Sequence, residues 1–264
     1  MKELTIYQVD AFTNSLFKGN PAAVCPLTEW ISEETMQSIA SENNLSETAF
    51  FVKKKDFYEI RWFTPVAEVD LCGHATLASA FVLFFMEYIP QDKIFFKAKK
   101  HELSVIKNES IMTLDFPSNT LSKIDITDDL IESFNFKPIE AYKGSNDILL
   151  VFSNEAQIQN LQPSFTKIST INTRGIIVTA KGENCDFVSR FFAPKFGINE
   201  DPVTGSAHTT LIPYWSKILG KKKMTAKQLS KRGGDLLCEF HEDRVKIAGE
   251  AVLYMEGKIK LPIK

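Results

Sequence analysis

The chain of 264 residues lacks most of the features that assign a function quickly. Cysteine is scarce: Cys25, Cys72, Cys185 and Cys238 lie far apart with no C-x-x-C spacing. That excludes a zinc knuckle and a dense disulfide framework, and it suits a reducing, cytoplasmic setting. No apolar run is long enough to span a bilayer, and the longest, Leu77 to Met86, reads as a buried helix. The opening residues, Met1 to Phe12, lack the apolar core of about 7 to 15 residues that marks a signal peptide. Neither sign of charge is in excess. Thirty-one Lys and Arg against 33 Asp and Glu give a net charge of −2, which excludes a field that gathers nucleic acid or an anionic membrane. The histidines, His74, His101, His208 and His241, form no H-x-x-x-H pair, so no metal site is expected. No low-complexity linker divides the chain.

What is present is a globular composition, 44% hydrophobic and 24% charged, enough to bury a core that offsets the entropy of ordering the chain. At roughly 150 residues per domain the length fits one large or two small domains. Strand patterns dominate, among them Leu4 to Val9, Ala22 to Cys25, Thr48 to Val52, Tyr58 to Phe63, Ile111 to Phe116, Ile148 to Phe152, Gly175 to Ala180 and Phe187 to Phe192. A helix is expected to open at Ser32, with Glu33 and Glu34 in its first turn, and two enclosed helices near Gly73 and Gly205. The lysine clusters Lys53 to Lys55, Lys97 to Lys100 and Lys221 to Lys223 read as solvated turns. Ser118 to Asp129 and Lys143 to Asp147 are the candidate hinges.

The most informative feature is a repeat. Arg61-Trp62-Phe63-Thr64-Pro65 recurs as Arg190-Phe191-Phe192-Ala193-Pro194, and Leu71-Cys72-Gly73-His74-Ala75-Thr76 as Val203-Thr204-Gly205-Ser206-Ala207-His208. Each copy reads strand, proline-marked loop, glycine, helix. At each glycine the chain enters a helix whose first amides are unpaired and whose dipole is positive there, an arrangement suited to anions. Two such helices from two lobes can aim at one cleft and hold a small carboxylic acid.

Glu47 stands out within Ser46 to Val52. The strand period of two puts it on the face of Ala49 and Phe51, so a carboxyl group heads an apolar row, where desolvation favours its neutral form as an acid/base group near neutrality requires. His74 follows Gly73 as Ser206 follows Gly205, and Asp201 precedes a proline in Asn199-Glu200-Asp201-Pro202. A serine hydrolase is a poor fit, because Thr204-Gly205-Ser206-Ala207-His208 lacks the second glycine of a nucleophile elbow.

Five motifs in fixed order resemble the PhzF-like family, which groups with diaminopimelate epimerase and proline racemase in a two-lobed, cofactor-independent superfamily. They are Asp10-Ala11-Phe12-Thr13 with Gly19-Asn20-Pro21-Ala22-Ala23-Val24, Ser46-Glu47-Thr48-Ala49-Phe50, Phe63-Thr64-Pro65, Cys72-Gly73-His74-Ala75-Thr76, and Phe192-Ala193-Pro194 with Glu200-Asp201-Pro202-Val203-Thr204-Gly205-Ser206-Ala207. The resemblance implies an α+β fold of two pseudo-symmetric lobes, each a curved, barrel-like sheet around a central helix. Residues 1–117 with 250–264 would form the first lobe and 118–249 the second, with the active site in the cleft between them and a C-terminal strand from Ala251 returning to the first lobe. It also implies a homodimer, no cofactor, and a proton moved along a conjugated acid by one carboxyl group, as in isomerisation of a dihydro-hydroxyanthranilic acid. That carboxyl matches Glu47, supported by His74, Asp201 and Ser206, while Asn20, Gly73 and Gly205 are the expected substrate-binding residues. The epimerases of the superfamily need two thiols. Here alignment of Gly73 with Gly205 pairs Cys72 with Thr204, whose hydroxyl cannot replace a thiolate, so racemase chemistry is disfavoured and Cys72 reads as a buried filler. The alternatives are a non-catalytic carboxylate-binding protein of the same fold and an amino-acid epimerase.

Overall fold

The structure, a computed structural model, describes residues 2–261. In chain order its elements are β1 (Lys2–Ala11), β2 (Asn20–Leu27), α1 (Glu33–Asn43), β3 (Glu47–Lys53), β4 (Tyr58–Phe63), β5 (Glu68–Val69), α2 (Gly73–Phe81), β6 (Lys93–Lys97), β7 (Glu102–Asn108), β8 (Ile111–Pro117), β9 (Ser122–Ile124), α3 (Asp128–Glu132), β10 (Glu140–Lys143), β11 (Asp147–Val151), α4 (Glu155–Gln159), α5 (Phe165–Thr170), β12 (Gly175–Lys181), β13 (Phe187–Ala193), β14 (Ile198–Asp201), α6 (Gly205–Leu219), β15 (Lys223–Gln228), β16 (Gly234–His241), β17 (Arg244–Gly249) and β18 (Ala251–Leu261). The chain divides into two compact units, one of residues up to Asp115 together with those from Ala248 on, the other Phe116–Ile247. Met1 and Pro262 to Lys264, which the sequence reading assigns to the first lobe, lie outside the described residues.

In the first unit β1 pairs antiparallel with both β2 and β18. The chain then crosses over through α1, so β2 and β3 are parallel, with Ala22 opposite Glu47 and Cys25 opposite Phe50. Helix α1 starts where the sequence places it: the Ser32 side chain accepts from the Thr35 amide, and Glu33 and Glu34 fill the first turn. One face of β2 and β3, including Ala23, Cys25, Phe50 and Val52, packs with Met36, Ile39 and Ala40 of α1. Alternation then sends Ala22, Glu47 and Ala49 to the opposite face. Helix α2 packs on β1, β2 and β3, and every residue from Gly73 to Ala80 is buried. The apolar run continues past α2 as a wider π-type turn, Val82–Met86.

The second unit repeats this order. β10 and β11 form an antiparallel pair, β11 and β12 run parallel, and β12 and β13 antiparallel. β13 is then parallel to β15, as β4 is to β6. Its core, including Ile148, Leu150, Ile176, Val178 and Phe192, packs with Ile158 of α4 and Ile168 of α5. Helix α6 is anchored by Trp215, whose indole N–H donates to Thr179 Oγ1 at 2.9 Å while its ring stacks on Phe187.

The repeated motif builds the same local joint twice. Arg61 forks onto Glu68 at 2.7 and 2.8 Å with its guanidinium over Phe63, and Arg190 forks onto Glu200 at 2.7 and 2.9 Å over Phe192. Two sequence expectations need correcting. Lys143 to Asp147 is the turn of the β10–β11 hairpin inside the second unit and not a hinge. Lys53, Lys97 and Lys223 are the exposed end residues of β3, β6 and β15, so the lysine clusters are only partly turns.

Candidate active site

In the first unit three backbone features bring the polar residues together. Gly19 has φ +63, and a Cβ there would lie 2.2 Å from the Ala11 carbonyl oxygen, so only glycine admits the chain to β2 along this path. Asn20 is therefore fixed as the first residue of β2, on the same face as Ala22 and hence as Glu47. Helix α2 begins on that face and delivers His74 as its second residue.

The resulting contacts are close. Glu47 Oε2 lies 3.1 Å from His74 Nε2, with side-chain exposures of 12% and 4%. These two atoms are buried and, among the described residues, have no other hydrogen-bond partner. On the other side of the ring His74 Nδ1 meets Asn20 Nδ2 at 3.1 Å and Cys72 Sγ at 3.6 Å. Glu47, Cys72 and His74 thus offer donor atoms within 4.8 Å of one another.

Burial opposes a charged His74, but the charges of Cys72 and Glu47 outweigh it and hold the imidazole well above its ordinary value. Burial first, and Glu47 second, push the Cys72 thiol up to about 11. A thiol this reluctant to ionise is neutral around pH 7, so near neutrality it is Glu47 that supports an imidazolium. The same shift makes Cys72 a poor base, in keeping with the reading of a buried filler.

In the second unit Thr204 stands immediately before α6, as Cys72 stands immediately before α2 in the first. Asp201 ends β14, and its Oδ2 accepts from Thr204 Oγ1 at 2.5 Å. Gln228 spans this corner: its Oε1 accepts from the Thr204 amide at 2.9 Å and its Nε2 donates to the Asp201 carbonyl at 2.8 Å. Ser206 Oγ accepts from Arg174 Nη2 at 3.2 Å, and Arg174 forks onto the buried Asp147. His208 donates from Nδ1 to the Thr204 carbonyl at 2.8 Å, and burial lowers it to about 4, so it is a neutral structural histidine and not a partner of Ser206.

The structure therefore gathers Glu47, His74, Asn20 and Gly73 in one unit, and Asp201, Ser206 and Gly205 in the other. Sequence reasoning missed Arg174, Asp147 and Gln228. Nothing local marks Arg174, because its pairing with Asp147 spans a parallel crossover.

Among known proteins, a family model described as phenazine biosynthesis-like protein matches residues 9–257. An uncharacterised isomerase from Pseudomonas aeruginosa is 48% identical over 98% of this chain and 100% of its own length. A phenazine biosynthesis-like domain-containing protein from mouse is 41% identical over 97% and 99%. The crystal structure of a PhzF-family protein from Enterococcus faecalis superposes with a TM-score of 0.96 at 46% identity, covering 98% of this chain and all of that one. A probable proline racemase from Agrobacterium radiobacter, 8% identical, shares the fold with a TM-score of 0.65 over 99% of this chain and 93% of its own. The diaminopimelate epimerase-like fold expected from the motifs is the fold observed. Among the described residues no helix is long and apolar enough to cross a membrane.

Proposed function

Because the chain belongs to the phenazine biosynthesis-like protein family, we propose that it is an isomerase that moves a proton on a small cyclic or unsaturated carboxylic acid, with Glu47 as its single acid/base group. The observation that carries this reading is the placement of Glu47: a carboxyl group 12% exposed, at the head of a buried strand and 3.1 Å from a buried imidazole. The ionised Glu47 takes a proton from a carbon next to an unsaturated or carbonyl-bearing group. The C–H electron pair enters the conjugated system, and the neutral carboxyl, whose proton exchanges with solvent, returns a proton to another carbon on the same face. Atoms and charge balance without an oxidant or a cofactor. His74 stabilises the carboxylate between turnovers and orients it.

The first amides of α2, at Gly73, suit the substrate carboxylate, and in the second unit the first amides of α6, at Gly205, with the Ser206 hydroxyl offer the same anion-binding chemistry, Asp201 fixing the corner before α6. A two-thiol racemase gains no support, since Thr204 stands where the second thiol would be needed and Cys72 resists ionisation. The proposal includes a homodimer, which light scattering that finds only monomer would remove.

The test is incubation with a panel of unsaturated cyclic carboxylic acids in deuterated water, read by proton NMR. The expected result is a changed double-bond position with solvent deuterium at the reprotonated carbon. If no acid that stabilises the protein thermally is turned over, the protein is a binding protein of this fold and the isomerase reading fails.

A further inference from the structure

We propose that the first unit carries a second binding site, on the α1 side of its sheet, that takes a linear polyamine. A cavity of about 410 Å³ lies between α1 and the end of β18, a volume within the range of small-molecule sites. It opens on the face where Met36 and Ile39 of α1 pack with Ile259 and Leu261 of β18. Glu47 lies on the opposite face of the sheet, since β3 turns Phe50 toward α1 and Glu47 away from it. The cavity is therefore separate from the candidate active site, and the isomerase reading plays no part in it.

Its walls specify the ligand. Ile39, Ile259 and Leu261 give it an apolar floor. Along one side Glu34, Ser38 and Glu42 follow one another at i, i+4 and i+8 of α1, so they are spaced by about 6 Å along the helix axis. Among the described residues neither Glu34 nor Glu42 is paired with a cation, although Glu33 next to them is held by Arg61. The Ser38 hydroxyl donates its proton to the Glu34 carbonyl at 2.7 Å, which leaves it only lone pairs to offer. The row thus presents three acceptors, with a negative charge at each end. Lys260 is the one cation among the lining residues, and strand alternation turns its side chain away from the face of Ile259 and Leu261, beside its register partner Glu3. A single ammonium cannot meet two carboxylates about 12 Å apart along a helix, and a hard divalent cation finds no two carboxylates to share. A chain with an ammonium at each end, a secondary ammonium between them and methylenes to cover Ile39 and Leu261 satisfies every wall at once.

The probe is spermidine, titrated calorimetrically into the purified protein at fixed ionic strength. Saturable binding of one molecule per chain is expected. Mg²⁺ and 1,2-diaminoethane carry charge but are too short to span the row, and they should bind about tenfold more weakly, the product of two lost contacts of the ion-pair scale. Glu34→Gln and Glu42→Gln should each weaken spermidine by about two- to fivefold, the effect of one exposed ion pair. Ser38→Lys places an ammonium in the middle of the row, at an exposed helical position that tolerates lysine, and should abolish saturable binding. Absence of saturable binding to wild type overturns the proposal. So does equal binding of Mg²⁺ or 1,2-diaminoethane, which marks a diffuse counterion effect, and so does spermidine binding unchanged in folded Ser38→Lys. If that variant does not fold, the two glutamine variants and the short competitors decide. Failure here leaves the Glu47 assignment standing, because that is read by turnover and this by polyamine binding on the other face of the sheet.

Discussion

Glu47 Oε2 and His74 Nε2 meet at 3.1 Å because two local rules coincide: the parallel register of β3 on β2 turns Glu47 toward α2, and α2 starts one residue before His74. A carboxyl group and an imidazole are thereby held in the same buried space, where the carboxylate strengthens the imidazole's hold on its proton. The testable consequences begin with this pair and extend to the second unit.

Cys72 is expected to be dispensable for chemistry. Cys72→Ser should keep turnover within about fivefold of wild type, the scale of 1 kcal/mol. The thiol itself, buried and pushed up to about 11, should resist alkylation by iodoacetamide at mildly alkaline pH. A collapse of turnover in a folded Cys72→Ser protein would restore the thiol as a base.

Arg174 is expected to matter twice. Arg174→Ala leaves the buried Asp147 carboxylate without its fork and frees Ser206 Oγ. Chemical denaturation should show a loss of about 1–3 kcal/mol, at the lower end of such effects because the arginine is about a third exposed to solvent. The Michaelis constant of a turned-over acid should rise with little change in kcat. Ser206→Ala should raise the Michaelis constant in the same way while leaving stability nearly unchanged.

How much of this was legible beforehand depended on whether the signal was local. The joint made by Arg61, Phe63 and Glu68 recurs with Arg190, Phe192 and Glu200, and the sequence shows that repeat because strand, loop and helix start lie within one short segment. The face of Glu47 followed from the alternation in β3, and the start of α1 from Ser32. β15 was missed although its residues alternate exposed and buried, because Lys223 and Lys227 fill the outer face and the run looked like a solvated turn. The short β9, β10 and β14 offer too few residues for a period to emerge. Asp147 with Arg174, and Gln228 with Asp201 and Thr204, are contacts made by tertiary folding alone, and no spacing announces them.

His208 makes stability depend on pH in a definite direction. Its folded value, about 4, lies below the ordinary 6.5, so between these values the unfolded chain binds the proton and the folded one does not. Stability contributed by the neutral buried ring is complete above about 6.5 and is lost as pH falls toward 4, by up to about 3 kcal/mol. His208→Gln can still donate to the Thr204 carbonyl without titrating. Urea midpoints measured across this range should therefore show a flatter acid limb in the variant, and parallel curves would contradict the assignment.

The central claim, that Glu47 alone carries the transferred proton, is tested most directly by Glu47→Gln. With an acid found in the deuterium screen, wild type and variant are compared for turnover in deuterated water and for thermal stabilisation by the same acid. The amide keeps the shape and cannot take the proton, so turnover and deuterium incorporation should fall together by about 10²- to 10⁴-fold while ligand stabilisation is retained. A folded Glu47→Gln protein that isomerises the acid at the wild-type rate would contradict the account.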